Sequence, residues 1–172
     1  MNKTVLEAIH RQINMELSAS YSYLAMSAYC QEHNFPGFAK WLRIQSTEEY
    51  GHAMRLFDFL LDRGVRVDLK AIAEPSAKFS SPAAVFEAAL AQELEVSRQI
   101  DALYELAFKE KAFVALAQLQ WFLNEQVEEE KTSREIVAKF KLIGNDAPSL
   151  LDLDRELGSR TPGGAAGGEG GE

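Results

Sequence analysis

The chain is poor in the residues that hold many small proteins together. It has one cysteine in 172 residues, Cys30. That excludes an intramolecular disulfide and any cysteine-based zinc site. It points to a packed thiol in a reducing compartment. Histidines number three, so nitrogen and sulfur donors together are too few for a dedicated zinc or copper site. No stretch approaches the ~20 apolar residues of a membrane span, and no run alternates with the period of a strand. The glycines at 163–164 and 167–168 fall in a low-complexity tail, away from any strand–helix junction, and carry no nucleotide-binding pattern. The N-terminus runs straight into an amphipathic pattern without a signal-peptide core. The expectation is a soluble, cytoplasmic protein.

What is present is amphipathic helix. Hydrophobic residues make up 47% of the chain, enough for one substantial core. The net charge of −8 disfavours nucleic acid and anionic membrane as partners and is compatible with cations. Asn2 or Thr4 can cap a first helix running to about Asn34. Pro36 then opens a second, which ends near Arg63 before Gly64. Residues 65–81 follow neither period. At ~3.3 Å per residue they can span the ~42 Å of a 28-residue helix. They read as a crossover anchored by Val67, Leu69, Ile72 and Phe79. Ser81-Pro82 starts a third helix, to about Lys109. A fourth runs from about Phe113 to Leu142, and a short fifth begins at Pro148. Two short connections and one long one predict an all-α four-helix bundle with a crossover between helices two and three. Residues 1–158 form the domain, and 159–172 a flexible Gly-rich tail.

The apolar stripes of the four long helices are interrupted by polar residues. On helix two, Phe38, Leu42, Gln45, Glu49, His52, Leu56 and Phe59 share one face. Glu16 interrupts helix one, Glu93 helix three, and Gln126 with Glu129 helix four. Each lies within about a turn of its helix centre, so in a bundle of near-equal helices all six meet in one layer. The spacing repeats: 33 residues separate Glu16 from Glu49, and 36 separate Glu93 from Glu129. Each half supplies one carboxylate, then an i, i+3 pair. A buried carboxylate without a partner costs several kcal/mol, roughly. Four carboxylates, an imidazole and an amide sharing a dry core require cations. Two divalent metals fit, and this donor set suits Fe²⁺ or Mn²⁺, with Zn²⁺ possible. Tyr23, two turns from Glu16 on the same face, can hydrogen-bond a ligand or donate an electron. Glu48, Glu125 and Glu128 flank the layer and either form a solvated face or hold a third cation. His10 and His33 lie outside it.

At these residues the chain resembles the non-haem ferritins, the bacterial type in particular. The resemblance covers residues 1 to about 158. It rests on Asn14-Met15-Glu16-Leu17, Glu48-Glu49-x-x-His52, Glu93, Trp121 and Asn124-Glu125-Gln126-Val127-Glu128-Glu129. It implies a ferritin-like bundle with iron as the metal. Glu16, Glu49 and His52 would be ligands of a first ferroxidase iron, with Glu49 bridging. Glu93 and Glu129 would hold a second, with Gln126 beside them, and Glu48, Glu125 and Glu128 a third. Tyr23 would be the site tyrosine. It further implies oxidation of Fe²⁺ by O₂ or H₂O₂, a 24-subunit homo-oligomeric shell and a ferric mineral. Tyr50 stands where bacterioferritins place a haem-ligating Met, and Gln126-x-x-Glu129 where they carry Glu-x-x-His. Both argue against haem. Leu116 and Leu119 fall where animal ferritins line an acidic channel. The Cys-rich domain of rubrerythrins is missing. Two rival readings remain: a di-iron oxygenase or peroxidase of the same fold working as a small oligomer, and a helical interaction protein whose polar layer sets pairing register.

Overall fold

The computed structural model describes residues 2–144 and 146–163. Five helices account for most of them: α1 (Lys3–Glu32), α2 (Pro36–Asp62), α3 (Pro82–Lys109), α4 (Phe113–Ile143) and α5 (Ala147–Gly158). Each boundary has a local cause. Asn2 caps α1 by accepting from the Val5 amide at 3.0 Å, and Ser81 caps α3 by accepting from Ala84 at 3.1 Å. Gly64, at φ +67°, follows α2, and Gly144, at φ +57°, terminates α4. The α1–α2 turn uses Asn34 at φ +62°, a conformation Asn tolerates better than most side chains. The fifth helix starts one residue before Pro148, capped by Asp146.

The short turns make α1–α2 and α3–α4 paired hairpins, and α1 packs across onto α3. Ser20 and Ser46 mark the close approach of the first pair, each hydroxyl donating to the other's carbonyl at 2.7 and 2.8 Å. The crossover runs along the outside of the bundle as expected, over α1. Lys70 donates its amide to Asn14 Oδ1 at 3.1 Å, and a His10 ring nitrogen lies 3.1 Å from the Arg66 carbonyl. Two of its four expected anchors hold: Val67 packs at one end of the bundle, and Phe79 meets Tyr29 edge-on at the other. Leu69 and Ile72 are exposed instead, because the segment touches the bundle mainly through backbone polar groups there.

The core is two apolar clusters rather than one. The first gathers Met26, Cys30, Phe38, Trp41, Phe86 and Phe140 with Leu153 and Leu157 of α5. Its centre is aromatic, with Phe86 and Phe140 ring centroids 5.2 Å apart. Burial pushes the Cys30 thiol up to about 12, with Asp154 adding to it, so the thiol is a packed and unreactive one. The second cluster gathers Val5, Ile9, Ile13, Leu56, Leu60, Ile100 and Phe122. Leu119 belongs inside it, fully buried, so it lines no channel; Leu116 is half-buried at its edge.

The start of α2 has no side-chain cap of its own, since Phe35 occupies that position. The buried Asp154 of α5 supplies one. Its carboxylate accepts from the Gly37 amide at 3.1 Å and from Phe38 at 2.8 Å. The helices approach so closely that a Cβ on Gly37 would lie 1.8 Å from the Asp154 carbonyl oxygen. This contact fixes where the chain leaves α5.

Candidate metal centre

Between the two apolar clusters lies a polar layer. Glu16 from α1, Glu49 and His52 from α2, Glu93 from α3, and Gln126 and Glu129 from α4 are all buried. The one-layer expectation therefore places all six side chains inside the bundle. Ligand atoms of Glu16, Glu49 and His52 lie within 4.8 Å of one another, as do those of His52, Glu125 and Glu129. His52 belongs to both groups. Its Nδ1 sits 3.3 Å from Glu49 Oε2, and its ring packs edge-on against Trp121 at 5.3 Å.

The carboxylates are only partly satisfied. Gln12, one turn before Glu16, donates to Glu16 Oε1 at 2.8 Å. Gln45, one turn before Glu49, donates through Nε2 to Glu129 Oε2 at 2.7 Å and to Glu49 Oε1 at 3.4 Å. Gln126 donates to Glu93 Oε2 at 3.3 Å and to its carbonyl at 3.2 Å. The Tyr23 hydroxyl donates to Glu93 Oε1. Among the described residues, the buried Glu16 Oε2 has no hydrogen-bond donor and Glu49 Oε2 has only the His52 Nδ1 contact at 3.3 Å. Native proteins rarely leave such atoms unpaired, and both belong to the same ligand group.

The electrostatics agree. Burial, followed by repulsion from Glu49, raises Glu16 to about 8. Burial and then Glu93 raise Glu129 to about 7. Glu49 is held well above the usual carboxylate range by burial and by Glu93 and Glu129, and Glu93 is raised by burial. The Tyr23 phenol is also pushed up, by burial first and then by Glu93. Desolvation thus disfavours four negative charges in one place. A divalent cation among these oxygens and one imidazole would offset it, and the donor set is the hard-oxygen type suited to iron or manganese.

The flanking residues divide. Glu125 joins His52 and Glu129. Glu128 is exposed and falls in neither group. Glu48 is half-buried, and its Oε2 accepts from Arg160 Nη2 at 2.5 Å. Arg160 departs from the expected flexible tail: it lies in the first residues after α5 and is docked on α2. Residues 164–172 of that tail lie outside the described residues. Tyr50 is half exposed, on the outer face of α2. His10 and His33 lie outside the layer, His33 stacked on Tyr29 at 4.0 Å.

Gln12, Gln45 and Arg160 are the site residues that sequence reasoning missed. The two glutamines repeat one spacing, each four residues before a core glutamate, and that repeat was legible. Nothing local marks Arg160, which stands in a Gly-rich stretch.

Comparison with known proteins bears on all of this. A family model for a ferritin-like domain matches residues 6–143. The bacterial non-heme ferritin of Staphylococcus aureus is 37% identical over 161 residues, covering 94% of this chain and 97% of the relative. That of Staphylococcus haemolyticus is equally similar. Among solved structures, an open pore ferritin from Archaeoglobus fulgidus superposes with a TM-score of 0.92 at 43% identity, over 94% of this chain and 99% of the other. An engineered closed form of that ferritin gives the same TM-score at 44% identity, over 94% and 98%. The match runs across most of the length, in sequence and in backbone: this chain belongs to the ferritin family.

Proposed function

We propose that the protein is a ferroxidase and iron-storage subunit acting on Fe²⁺ as its substrate. The observation that carries the reading is the pair of overlapping ligand groups sharing His52, with the under-satisfied buried oxygens Glu16 Oε2 and Glu49 Oε2 both in the first of them. Glu16, Glu49 and His52 take one Fe²⁺. Glu129 with Glu93 takes a second, and Glu49 bridges, with Gln126 beside them. Glu125 faces the same second position, and Glu48 and Glu128 extend it towards a third cation. Each Fe²⁺ loses one electron. Two electrons with two protons convert O₂ to H₂O₂, or H₂O₂ to two waters. The carboxylates favour the more highly charged Fe³⁺, which lowers the barrier to oxidation. Tyr23, bonded to Glu93, holds that ligand and is placed to pass an electron.

The product then accumulates as ferric mineral inside a homo-oligomeric shell of 24 copies in the cytoplasm. In support, the chain leaves the large apolar side chains of Phe108, Phe113, Val127 and Leu142 largely exposed, and contacts between copies would cover them. No helix among the described residues is long and apolar enough to cross a membrane.

Stopped-flow oxidation of Fe²⁺ tests the site. His52→Ala and Glu16→Ala should each slow it by at least ~100-fold, the order of loss when a group that positions the reaction is removed. Oxidation at the wild-type rate would refute the assignment. Size-exclusion chromatography with an iron stain tests the shell: an iron-bearing particle near 24 subunits is expected, and a small iron-free oligomer would return the oxygenase reading.

A further inference from the structure

We propose that Arg160 is a tethered cation that occupies the Glu48 side of the metal centre, fixes the amide of Gln45 and competes with a third metal ion for Glu48. The proposal rests on the ferroxidase reading above.

The placement of Arg160 starts with the backbone. Asp154 pins α5 to the start of α2, and a Cβ on Gly158 would lie 2.8 Å from Gly37 Cα. Lys40 Nζ donates to the Gly158 carbonyl at 2.7 Å. The chain is thus held on α2 two residues before Arg160. From there the guanidinium lies over the Trp41 ring, 4.8 Å from its centroid. Nη1 donates to Gln45 Oε1 at 2.8 Å and Nη2 to Glu48 Oε2 at 2.5 Å. Trp41, Gln45 and Glu48 lie at i, i+4 and i+7, on one face of α2.

An ordinary surface ion pair would be loosely held and mostly hydrated. The Arg160 side chain is only 10% exposed, and its Nε is buried without a partner among the described residues. It satisfies three neighbours at once, which a solvated pair does not.

Two consequences follow from the chemistry of an amide. Gln45 has one oxygen to accept with and one nitrogen to donate from. Arg160 takes the oxygen, so Nε2 must face Glu129 and Glu49, as it does at 2.7 and 3.4 Å. Arg160 is therefore a positioning residue for two carboxylates that it does not touch. The second consequence concerns Glu48. Its Oε2 holds the guanidinium at 2.5 Å, and a divalent cation at the same carboxylate would meet that fixed positive charge. A third metal can take Glu48 through both oxygens only by expelling Arg160. With Arg160 docked, Fe²⁺ is confined to the inner pair; with it displaced, the Glu48 side opens to a further ion.

The test uses the assembled protein and Zn²⁺, which binds without oxidation chemistry, followed by isothermal titration. Wild type should bind two Zn²⁺ tightly per subunit and a third weakly. Arg160→Ala should tighten the third about tenfold. Arg160→Lys, which keeps the charge but cannot reach both partners, should fall between. Glu48→Gln combined with Arg160→Ala should abolish the gain. Equal third-site affinity in wild type and Arg160→Ala, or a gain that survives Glu48→Gln, overturns the proposal. A wild-type protein lacking the two tight sites is instead the failure of the ferroxidase reading. Trp41 gives a readout with Arg160 intact. In Trp121→Phe protein, which leaves Trp41 as the single tryptophan, emission should change as the third Zn²⁺ displaces the guanidinium. Emission flat across that equivalent overturns the displacement.

Discussion

The hydroxyl of Tyr23 on α1 donates to a carboxylate oxygen of Glu93 on α3, across the middle of the bundle and out of solvent. It ties the two hairpins together inside the polar layer. Removing one partner of a buried hydrogen bond leaves the other unsatisfied, at a cost of about 1–3 kcal/mol. Tyr23→Phe should therefore lower the melting temperature of the metal-free protein by several degrees. If Tyr23 also passes electrons, the variant should bind two Zn²⁺ normally yet oxidise Fe²⁺ more slowly. Unchanged oxidation would confine Tyr23 to holding Glu93.

The raised carboxylates make stability depend on pH in a defined direction. Glu16 titrates at about 8 and Glu129 at about 7 in the fold, against 4.5 for an ordinary glutamate. Unfolded, both ionise near 4.5. Between about pH 4.5 and 8 the folded chain therefore holds more protons than the unfolded one. Stability falls as pH rises through that window. The melting temperature of the metal-free protein should be higher near pH 5 than at pH 8, with a loss of roughly a few kcal/mol. Zn²⁺-loaded protein should lose this slope. A metal-free melting temperature that stayed level or rose from pH 5 to 8 would contradict the buried-charge account.

Neutralising one carboxylate should stabilise the empty site while weakening the occupied one. Glu16→Gln keeps the shape and removes the charge, so metal-free protein at pH 8 should melt higher than wild type, and Zn²⁺ should bind less tightly. Glu93→Ala also removes a buried charge, but it strands the Tyr23 hydroxyl and the Gln126 amide. Its metal-free stability should stay near wild type, the two effects offsetting. Thermal melts of both variants with and without Zn²⁺ separate the contributions.

Gly37→Ala should undock α5. A Cβ there meets the Asp154 backbone at 1.8 Å, a distance only backbone movement relieves. Hydrogen exchange in residues 147–158 should accelerate, and the melting temperature should drop. Asp154→Ala removes the shared cap of the Gly37 and Phe38 amides and should cost about 1–2 kcal/mol. Protection of α5 equal to wild type in both variants would show that other contacts hold it.

Much of this was readable from the chain because helical period and ligand spacing are local properties. The caps at Asn2 and Ser81, the stops at Gly64 and Gly144, and the six-residue layer all follow from residue type at fixed intervals. The resemblance of Glu48-Glu49-x-x-His52 and its companions to ferritins pointed to the family, and the family match shows it. What escaped was contact between distant stretches. Asp154 reads as an ordinary acid on an amphipathic helix until α5 is laid on α2. Arg160 reads as part of a low-complexity tail until the Gly37–Gly158 approach delivers it to Glu48. Leu69 and Ile72 look like anchors, but the crossover binds through Asn14 and backbone groups instead. Glu125 stands with His52 and Glu129 because of how α4 is rotated, which spacing alone does not specify.

The two apolar clusters lie above and below the carboxylate layer, and they are complete without it. Each end of the bundle is secured by close apolar packing, while the waist is held under electrostatic tension until cations arrive. The subunit should thus become stiffest at its middle when it is working. A subunit built this way would grow more resistant to heat and proteolysis as its centre takes up cations, and softer at the waist of every helix as they leave.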